Sequence, residues 1–406
     1  MKEYLRFLVR CFRLSFVGSK TYKLWMLFLT AVALLGLNAW AKQVVGGLAT
    51  TGMTDQVSWG LYIANFTFLV GMAAAAVMLV IPVYIYRNKE LHDLVIFGEL
   101  LAVAAVVMCL MFIGADLGRP DRALHLLQRF NWPISVLTWD VIVLNGYLAL
   151  NLHICGYLIW CAYNRRTPGK AFYIPFVFVA IFWAISIHTV TAFLYQGLGG
   201  RPFWNSAILA PRFLASAFAA GPAFLVLTLL LIGHYTKYDV PKKAIATLRG
   251  IITVALTINM FLLISEVFTE FYTDSSHAAS AHYLFHGLHG YNALVPWIWS
   301  ALVLNSFALV VLYTPVRQRT AWMSAACAAM IVGIWIEKGM GLIVPGFIPT
   351  PIGEMLEYVP TTNELLVCGG IWAAGLLLYT ILLRVTIPVL SGNLTKDTLY
   401  STKRFS

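Results

Sequence analysis

Charged residues are scarce in this sequence. They make up only 11% of its 406 residues, whereas hydrophobic residues make up 60%. A soluble domain usually carries about 25% charged residues. This composition therefore excludes an ordinary water-facing surface. It predicts a chain that mostly faces lipid, where backbone polar groups must be satisfied within helices.

Cysteine is also scarce, and no two cysteines have CxxC spacing. The six are Cys11, Cys109, Cys155, Cys161, Cys327 and Cys368. Most lie in apolar runs, where cysteine behaves as a small buried hydrophobe. Iron–sulfur clusters need several spaced cysteines, and a membrane haem needs two histidines at matched depth. Neither pattern is present, so we expect no iron–sulfur cluster and no haem in this chain.

The basic residues do not form a nucleic-acid patch, although the net charge is +11. They occur in short loops between apolar runs. This distribution is typical of membrane orientation. We therefore expect a lipid membrane as partner and no nucleic acid.

Ten apolar runs approach or exceed the length of about 20 residues that crosses a bilayer. They cover residues 23–40, 59–86, 94–115, 136–163, 172–197, 206–234, 244–272, 290–314, 321–345 and 365–390. The sequence thus predicts an all-α polytopic membrane protein, with 1–406 as one integral membrane domain. Residues 1–20 alternate arginine with apolar residues at helical spacing, which indicates an amphipathic surface helix.

Lysine and arginine are distributed unevenly between the two sides of this predicted topology. The terminal segments and the loops after even-numbered spans hold 19 of them, whereas the loops after odd-numbered spans hold five. Positive loops usually stay on the cytoplasmic side. Both termini are therefore predicted to be cytoplasmic, and the longer loops lie on the outer face.

Several ionisable residues fall inside the predicted spans at a similar depth, near the outer face. They are Asp140, His188, Arg212, Glu266, Glu337 and Lys338, with Asp116 and Arg119 where span 3 ends. Charges in membranes are costly and usually functional. The set indicates a polar pocket or a proton route; the alternative is a group of ion pairs that lock the bundle.

Two further residues lie deeper, toward the predicted cytoplasmic side. Glu99 in span 3 and His153 in span 4 could extend a proton path inward. Hydrogen bonds between helices would explain them equally well. A histidine cluster in one outer loop (His277, His282, His286 and His289) suggests proton handling or docking, with a metal site as the less favoured interpretation because no cysteine or acidic residue completes a zinc signature.

Short motifs in these spans resemble the NrfD/PsrC family of membrane quinone-reacting subunits. The motifs are Trp59-Gly60-Leu61-Tyr62-Ile63, Asp116-Leu117-Gly118-Arg119-Pro120, Trp139-Asp140, Ile187-His188 and Pro211-Arg212. Their order covers spans 2 to 9. The ten-span length and the WGLYIANFTFLVG string are most similar to the DsrP branch of the family.

This resemblance implies a fold and a set of partners. It implies two four-helix bundles, 59–197 and 206–345, with flanking helices that include 365–390. It further implies menaquinone or another quinone as substrate near the outer face of a prokaryotic cytoplasmic membrane. A ferredoxin-like iron–sulfur protein would bind at that face, and the DsrP branch adds cytochrome b and multihaem cytochrome c subunits and a place in sulfur metabolism.

The resemblance also implies roles for individual residues. Asp140 and His188 match positions used around the quinone and for proton transfer, and Asp116 and Arg119 match the mouth of the pocket. We expect His188 to donate a hydrogen bond to a quinone carbonyl, and Asp140 to orient or reprotonate the His188 ring. Arg119 or Arg212 would favour negative charge on the quinone.

Three aromatic residues at outer depth, Trp59, Tyr62 and Tyr195, are expected to line the slot for the quinone ring. The alternative is an aromatic belt at the membrane interface.

The roles of Glu266, Glu337 and Lys338 on a proton path follow from depth alone. Two other functions stay open: a secondary transporter, suggested by Gly221-Pro222 and Pro296 within spans, and a passive membrane anchor of a redox complex.

Overall fold

The computed structural model describes residues 2–73, 75–86, 89–236, 238–273 and 278–397. These residues form helices joined by turns and loops, and they contain no β-strand. Ten helical segments are long and apolar enough to cross a membrane. In chain order, spans 1 to 10 are Lys20–Gly46, Leu61–Ile85, Val95–Asp116, Val136–Tyr163, Lys170–Gln196, Leu209–Tyr235, Lys242–Thr273, Val295–Tyr313, Thr320–Phe347 and Thr362–Leu390.

The predicted polytopic helical fold is confirmed, and most span boundaries lie within a few residues of the predicted ones. Span 1 ends at Gly46 rather than at residue 40. Its extension is stabilised by Gln43, which donates to the Ala115 carbonyl at 2.6 Å and accepts from Tyr62 at 2.6 Å. Span 8 starts at Val295 rather than at residue 290, because Pro296 sets its first turn.

Four spans form the centre of the molecule. Spans 2, 3, 6 and 9 are 72–78% buried, whereas the other six are 17–44% buried. Span 2 packs against span 3, span 4 against span 5, span 6 against span 7, and span 8 against span 9. Spans 3 and 4 also pack together, as do spans 6 and 9. We refer to spans 2–5 as the first bundle and to spans 6–9 as the second bundle, following the division that the family resemblance implies.

The two bundles meet where spans 2 and 6 approach closely. A Cβ atom on Gly221 would lie 2.9 Å from the backbone nitrogen of Ala75, so only glycine allows this approach. The Gly221-Pro222 pair does not interrupt span 6, which runs as one helix from Leu209 to Tyr235. The glycine is therefore explained by packing between the bundles.

Spans 1 and 10 form a flanking pair that packs on span 3 of the first bundle. Gly36 and Gly370 face each other at their crossing, where a Cβ atom on Gly36 would lie 2.4 Å from Gly370 Cα. Small residues at such crossings let membrane helices approach. This contact fixes the pair at the edge of the first bundle.

Spans 2 and 9 depart from regular α-helical geometry. Span 2 consists of Leu61–Ala73, Ala75–Val80 and a π-helical turn, Ile81–Ile85. Span 9 consists of Thr320–Trp335, a π-helical turn at Ile336–Met340, and the short helices Gly341–Ile343 and Pro345–Phe347. π-Helical turns often occur at functional sites, and the turn in span 9 contains Glu337 and Lys338.

Short helices lie in the connections between spans. They are Leu48–Thr50, Lys89–Leu94, Pro120–Arg122, His125–Gln128, Pro202–Trp204, Ala278–Phe285 and Pro315–Gln318. The first residues of the chain form a separate helix, Lys2–Ser15, as the amphipathic pattern predicts.

The N-terminal and C-terminal segments meet at one end of the molecule. Arg10 donates to the Tyr163 hydroxyl at 2.8 Å, and the Lys396 backbone nitrogen donates to the Tyr163 carbonyl at 3.0 Å. Both termini therefore lie on the same side, as an even number of spans requires. The cytoplasmic assignment of that side remains a prediction from charge. By the same prediction, the opposite end is called the outer end below.

Candidate functional site

An ion-pair network occupies the interior of the second bundle. Arg212 of span 6 is bonded through its guanidinium to Glu266 of span 7. It also donates to Glu337 of span 9 at 3.0 and 3.3 Å. All three side chains are nearly inaccessible to solvent. The sequence predicted these charges at one depth, and the structure joins them into one network.

Two asparagines complete the shell around Glu337. Asn305 of span 8 donates to Glu337 at 2.9 Å, and Asn259 of span 7 donates at 3.2 and 3.3 Å. Both asparagines are fully buried. Sequence reasoning missed them because it considered only ionisable residues. An amide in the middle of an apolar span was the available signal.

Among the described residues, Lys338 forms no hydrogen bond or ion pair with this network, although it follows Glu337 in the chain. Its ammonium group donates to the Phe213 carbonyl at 3.3 Å and lies 4.2 Å from the centre of the Phe213 ring. It also lies beside Gly71 of span 2, where a Cβ atom would be 3.3 Å from the nitrogen. Lys338 therefore projects from the second bundle toward the first.

Asp140 and His188 lie in the interior of the first bundle and are fully buried. Thr191 donates to Asp140 Oδ1 at 2.8 Å, whereas Asp140 Oδ2 has no hydrogen-bond partner among the described residues. His188 Nδ1 lies 2.6 Å from the Ala184 carbonyl. A carbonyl only accepts, so Nδ1 carries a proton. His188 Nε2 makes no hydrogen bond of good geometry in the same part of the chain, although the Gly71 backbone of span 2 is close enough to act on the ring.

The expected orientation of His188 by Asp140 differs from the observed contacts. The Ala184 carbonyl orients the ring, and Thr191 binds the carboxylate. His188, Thr191 and Tyr195 follow one another at helical spacing along span 5. They form a polar stripe that sequence reasoning recognised only at His188 and Tyr195.

The interiors of the two bundles are electrostatically connected. Lys338 is close enough to act on both His188 and Cys109, and Cys109 of span 3 is close enough to be affected by Asp140. The residues predicted at one depth therefore form two adjacent groups. In the second bundle, the charges of Arg212, Glu266 and Glu337 are paired. In the first bundle, Asp140 Oδ2 and His188 Nε2 are left for a further partner.

A cluster of aromatic rings lies at the end of span 2 that is predicted to face outward. Trp59 stacks on Trp204 at 5.7 Å, and it contacts the edges of Tyr195 and Phe347 at 5.8 Å. Tyr195 is fully buried, and its hydroxyl lies 2.5 Å from that of Thr67. Tyr195, Trp204 and Phe347 are buried and Trp59 is half-buried, so most of this cluster belongs to the interior rather than to an interfacial belt.

Tyr62 does not join these rings, although it was predicted to line the same slot. Its hydroxyl donates to Gln43 of span 1. Span 2 begins with Leu61, whose backbone nitrogen donates to the Tyr358 hydroxyl at 2.8 Å, and Tyr358 in turn donates to Glu364 at 2.6 Å. Tyr62 thus helps to attach span 2 to the flanking helices.

The residues of the Asp116–Pro120 motif face different surroundings. Asp116 ends span 3, and its Oδ1 atom is buried without a hydrogen-bond partner among the described residues. Arg119 is exposed and pairs with Asp121 at 2.9 and 3.0 Å. This hydrogen-bonded guanidinium holds the pKa of Asp121 below its usual value. Arg119 is therefore a surface residue of the loop, whereas Asp116 faces the interior.

Glu99 and His153 do not face each other. Glu99 is buried and accepts from the Cys155 thiol at 3.2 Å. His153 is exposed on span 4, and its Nε2 lies 3.0 Å from the Phe172 carbonyl. These two side chains therefore do not together form the proton path toward the cytoplasmic side that the sequence suggested.

Two narrow cavities adjoin these groups. One is lined by residues that include Arg212, Phe213, Glu337 and Lys338. The other is lined by residues that include Glu99, Tyr147 and Asn151. Each has room for about one water molecule, far less than a ligand pocket of about 300–1,000 Å³. A quinone ring therefore needs side-chain movement to reach either interior.

The histidine cluster contains two rings that contact each other. His282 and His286 have ring centres 5.9 Å apart, and both pack on Phe271. His277 lies outside the described residues. In the part of the chain that the structure describes, no three metal-ligating side chains converge.

Comparison with known proteins gives a family match over most of the chain. The family described as "Polysulphide reductase, NrfD" matches residues 49–348. This range includes all of spans 2 to 9 and every residue of the two polar groups. It thus covers the same part of the chain as the motifs identified above.

Several known proteins are similar over most of their lengths. A Halobacterium salinarum protein, provisionally named as a membrane subunit of dimethyl sulfoxide reductase, is 26% identical over 80% of this chain and 77% of that protein. The Hdr-like menaquinol oxidoreductase integral membrane subunit of Archaeoglobus fulgidus is 22% identical over 88% of this chain and 91% of that protein. A polysulfide reductase polypeptide of Wolinella succinogenes is 27% identical over 56% and 74%.

Proposed function

The chain belongs to the NrfD polysulphide reductase family, and we propose that it is the membrane subunit through which a respiratory redox complex exchanges electrons with the quinone pool. The names of its relatives, which include membrane subunits of a reductase and of a menaquinol oxidoreductase, support this proposal. In its own structure, one observation carries it. Asp140 Oδ2 and His188 Nε2 are buried hydrogen-bonding atoms without partners among the described residues.

Such atoms fit a quinone as substrate. A buried polar atom without a protein partner costs free energy, so it is a place where a water molecule, an ion or a ligand binds, or where a catalytic group is held ready. Quinone chemistry moves two protons with two electrons, and it needs titratable groups within hydrogen-bond reach of the ring oxygens. Asp140 and His188 are titratable groups of this kind inside one bundle.

His188 can act in either direction of the reaction. Because Nδ1 donates to the Ala184 carbonyl, Nε2 is the atom that meets the substrate. A neutral ring accepts the proton of a quinol hydroxyl at Nε2, and the protonated ring returns it to a quinone oxygen. Asp140, held at Oδ1 by Thr191, serves as the second proton acceptor.

Lys338 is the cation best placed to favour negative charge on the substrate. The sequence suggested Arg119 or Arg212 for this role, but Arg119 is exposed and Arg212 is bonded to two carboxylates. Lys338 instead contacts a carbonyl and an aromatic face, and its charge acts on His188. A preorganised charge in a water-excluded site stabilises developing charge strongly.

The electrons must pass to a partner subunit, for which we propose a ferredoxin-like iron–sulfur protein on the outer face. The loop between spans 3 and 4 supports a partner at the outer end of the molecule. It is long for a helix connection, which often marks a binding loop. It exposes Leu124, Phe130, Trp132 and Ile134, and it contains Arg119, Arg122 and Arg129. Cytochrome b and multihaem cytochrome c partners, and a role in sulfur metabolism, belong to the same proposal through the DsrP-like motifs.

A second proposed role is proton translocation through the second bundle. Glu266 and Glu337, which are bridged by Arg212, offer successive proton-exchanging groups, with Lys338 beside them. The structure favours this set over the pair of Glu99 and His153, whose side chains face different surroundings.

The test of the redox role compares Asp140→Asn and His188→Ala with Asp239→Asn, a control in the exposed loop between spans 6 and 7, in the purified complex. Menaquinol-dependent electron transfer should fall by about 10²-fold or more in the two site variants. The control should keep its rate, and all three should assemble. Undiminished turnover in both site variants would remove these residues from the mechanism.

The same experiment separates the two alternative functions. A passive anchor would tolerate both site substitutions with no loss of electron transfer. A secondary transporter would move its substrate without a redox partner. Neither of the two sequence features that favoured transport breaks a helix, because span 6 continues through Pro222 and Pro296 lies in the first turn of span 8.

A further inference from the structure

The N-terminal helix, Lys2–Ser15, is attached to the protein along one face. Phe7 and Leu14 are buried on this face. The Phe7 ring lies 5.4 Å from Trp160 and 4.7 Å from Tyr163, both at the end of span 4. The helix is therefore part of the folded structure.

The connection between this helix and span 1 is also held in place. The guanidinium of Arg384 donates to the Val17 carbonyl at 2.7 and 3.0 Å and lies over the Tyr22 ring. The Tyr22 hydroxyl donates to the Ser15 carbonyl at 2.7 Å. These bonds fix the orientation of the helix relative to the spans.

The opposite face of the helix is apolar and exposed. Its residues recur at helical spacing, and their exposed fractions range from 43% to 68%: Leu5, Leu8, Val9, Phe12 and Phe16. A contiguous exposed apolar face of this kind marks a contact with a membrane or with another protein.

A basic edge runs beside this apolar face. Arg6 and Arg13 are exposed and lie seven residues apart, two turns along the helix. Residues 2–23 contain six lysines and arginines and one acidic residue, Glu3. Guanidinium groups match the geometry of phosphate, which they bind through two parallel hydrogen bonds.

We propose that this helix binds an anionic phospholipid leaflet, with its apolar face among the acyl chains and with Arg6 and Arg13 on the headgroup phosphates. Lipid, rather than a protein subunit, is favoured because the chain passes within a few residues into span 1. Span 1 is the least buried of the ten spans, at 17%. The surface of span 1 next to this helix therefore faces the membrane. This inference does not depend on the redox role.

The first test places a nitroxide label at position 12 in the full chain, reconstituted in bilayers. Cys11→Ser provides the background, because the other five cysteines are buried. Accessibility to oxygen, which concentrates in lipid, is compared with accessibility to a water-soluble nickel chelate. Phe12→Cys should favour oxygen, whereas a label at the exposed loop position 121 should favour nickel. A label at position 12 that favours nickel, or that is shielded from both, would overturn the proposal.

The second test addresses the headgroups with Arg6→Gln/Arg13→Gln in the full chain. Phosphatidylglycerol and phosphatidylcholine retained after mild detergent extraction are measured by native mass spectrometry. The ratio of the anionic to the neutral lipid should fall on the order of tenfold. Arg122→Gln/Arg129→Gln, at the other end of the molecule, should retain the wild-type ratio. An unchanged ratio in the Arg6/Arg13 variant would contradict headgroup binding.

Discussion

The two bundles bury polar groups in different ways. In the second bundle, Glu337 accepts from Arg212, Asn259 and Asn305, so the buried charge is enclosed by donors. In the first bundle, Asp140 and His188 each keep one buried atom without a partner among the described residues. Enclosed charges favour one arrangement of helices, whereas the unpartnered atoms are suited to a ligand. The comparison therefore distinguishes charges that hold neighbouring helices together from a carboxylate and an imidazole that can meet a ligand.

Removal of Glu337 should give the largest effect on stability. Glu337→Ala leaves Arg212 with one carboxylate and removes the acceptor of Asn259 and Asn305. Breaking a buried ion pair typically costs about 3–5 kcal/mol. We expect a loss of this size in the free energy of unfolding in detergent, and a much smaller loss for Asp140→Asn. Equal losses in the two variants would break the distinction between the bundles.

Lys338→Met should act on turnover more than on stability. Methionine can occupy the space of the lysine stem but removes the charge beside His188. The loss of one preorganised electrostatic contact typically costs about 10²-fold in rate. Steady-state quinol oxidation should show this decrease in kcat, and the unfolding midpoint should stay near that of the wild type. An unchanged kcat would assign Lys338 to packing alone.

A smaller effect is expected at the boundary between the polar stripe and the aromatic cluster. Tyr195→Phe removes the hydroxyl that lies beside Thr67 and keeps the ring that packs on Trp59. Side-chain hydrogen bonds between membrane helices average about 0.6 kcal/mol. Thermal unfolding should show a loss of about this size. A loss as large as that of Glu337→Ala would mean that the hydroxyl holds the first bundle together.

The smallest effect is expected at Arg119. Its guanidinium is exposed and pairs with a carboxylate two residues away. Exposed ion pairs contribute little because water and salt screen them. Arg119→Ala should leave both the unfolding midpoint and the quinone affinity of the isolated subunit unchanged. A marked loss of quinone affinity would restore the role that the sequence motif suggested.

The spans and their approximate depth could be predicted because hydropathy and proline follow the chain directly. Val136–Tyr163 begins and ends at the predicted residues. Predicted depth also placed Arg212, Glu266 and Glu337 at a similar level, and the structure joins them. A charge in a membrane span needs a partner, and a partner must lie at the same level.

The neighbours of each side chain could not be predicted in this way. Lipid tails are as apolar as leucine, so core-facing and lipid-facing sides of a span have similar composition. Sequence therefore placed Tyr62 with Tyr195, and Glu99 with His153, although the side chains of each pair face different surroundings. The same limit hid Asn259, Asn305 and Thr191, which are ordinary polar residues until their neighbours are known.

The sequence by itself determined a helical membrane protein of ten spans, the depth of its ionisable residues and its family motifs. These properties depend on composition and spacing along one chain. Only the tertiary structure decided which charges are neutralised and which polar atoms remain available. That outcome depends on the rotation of each helix about its axis and on close crossings such as Gly221 against Ala75. Packing between helices sets both.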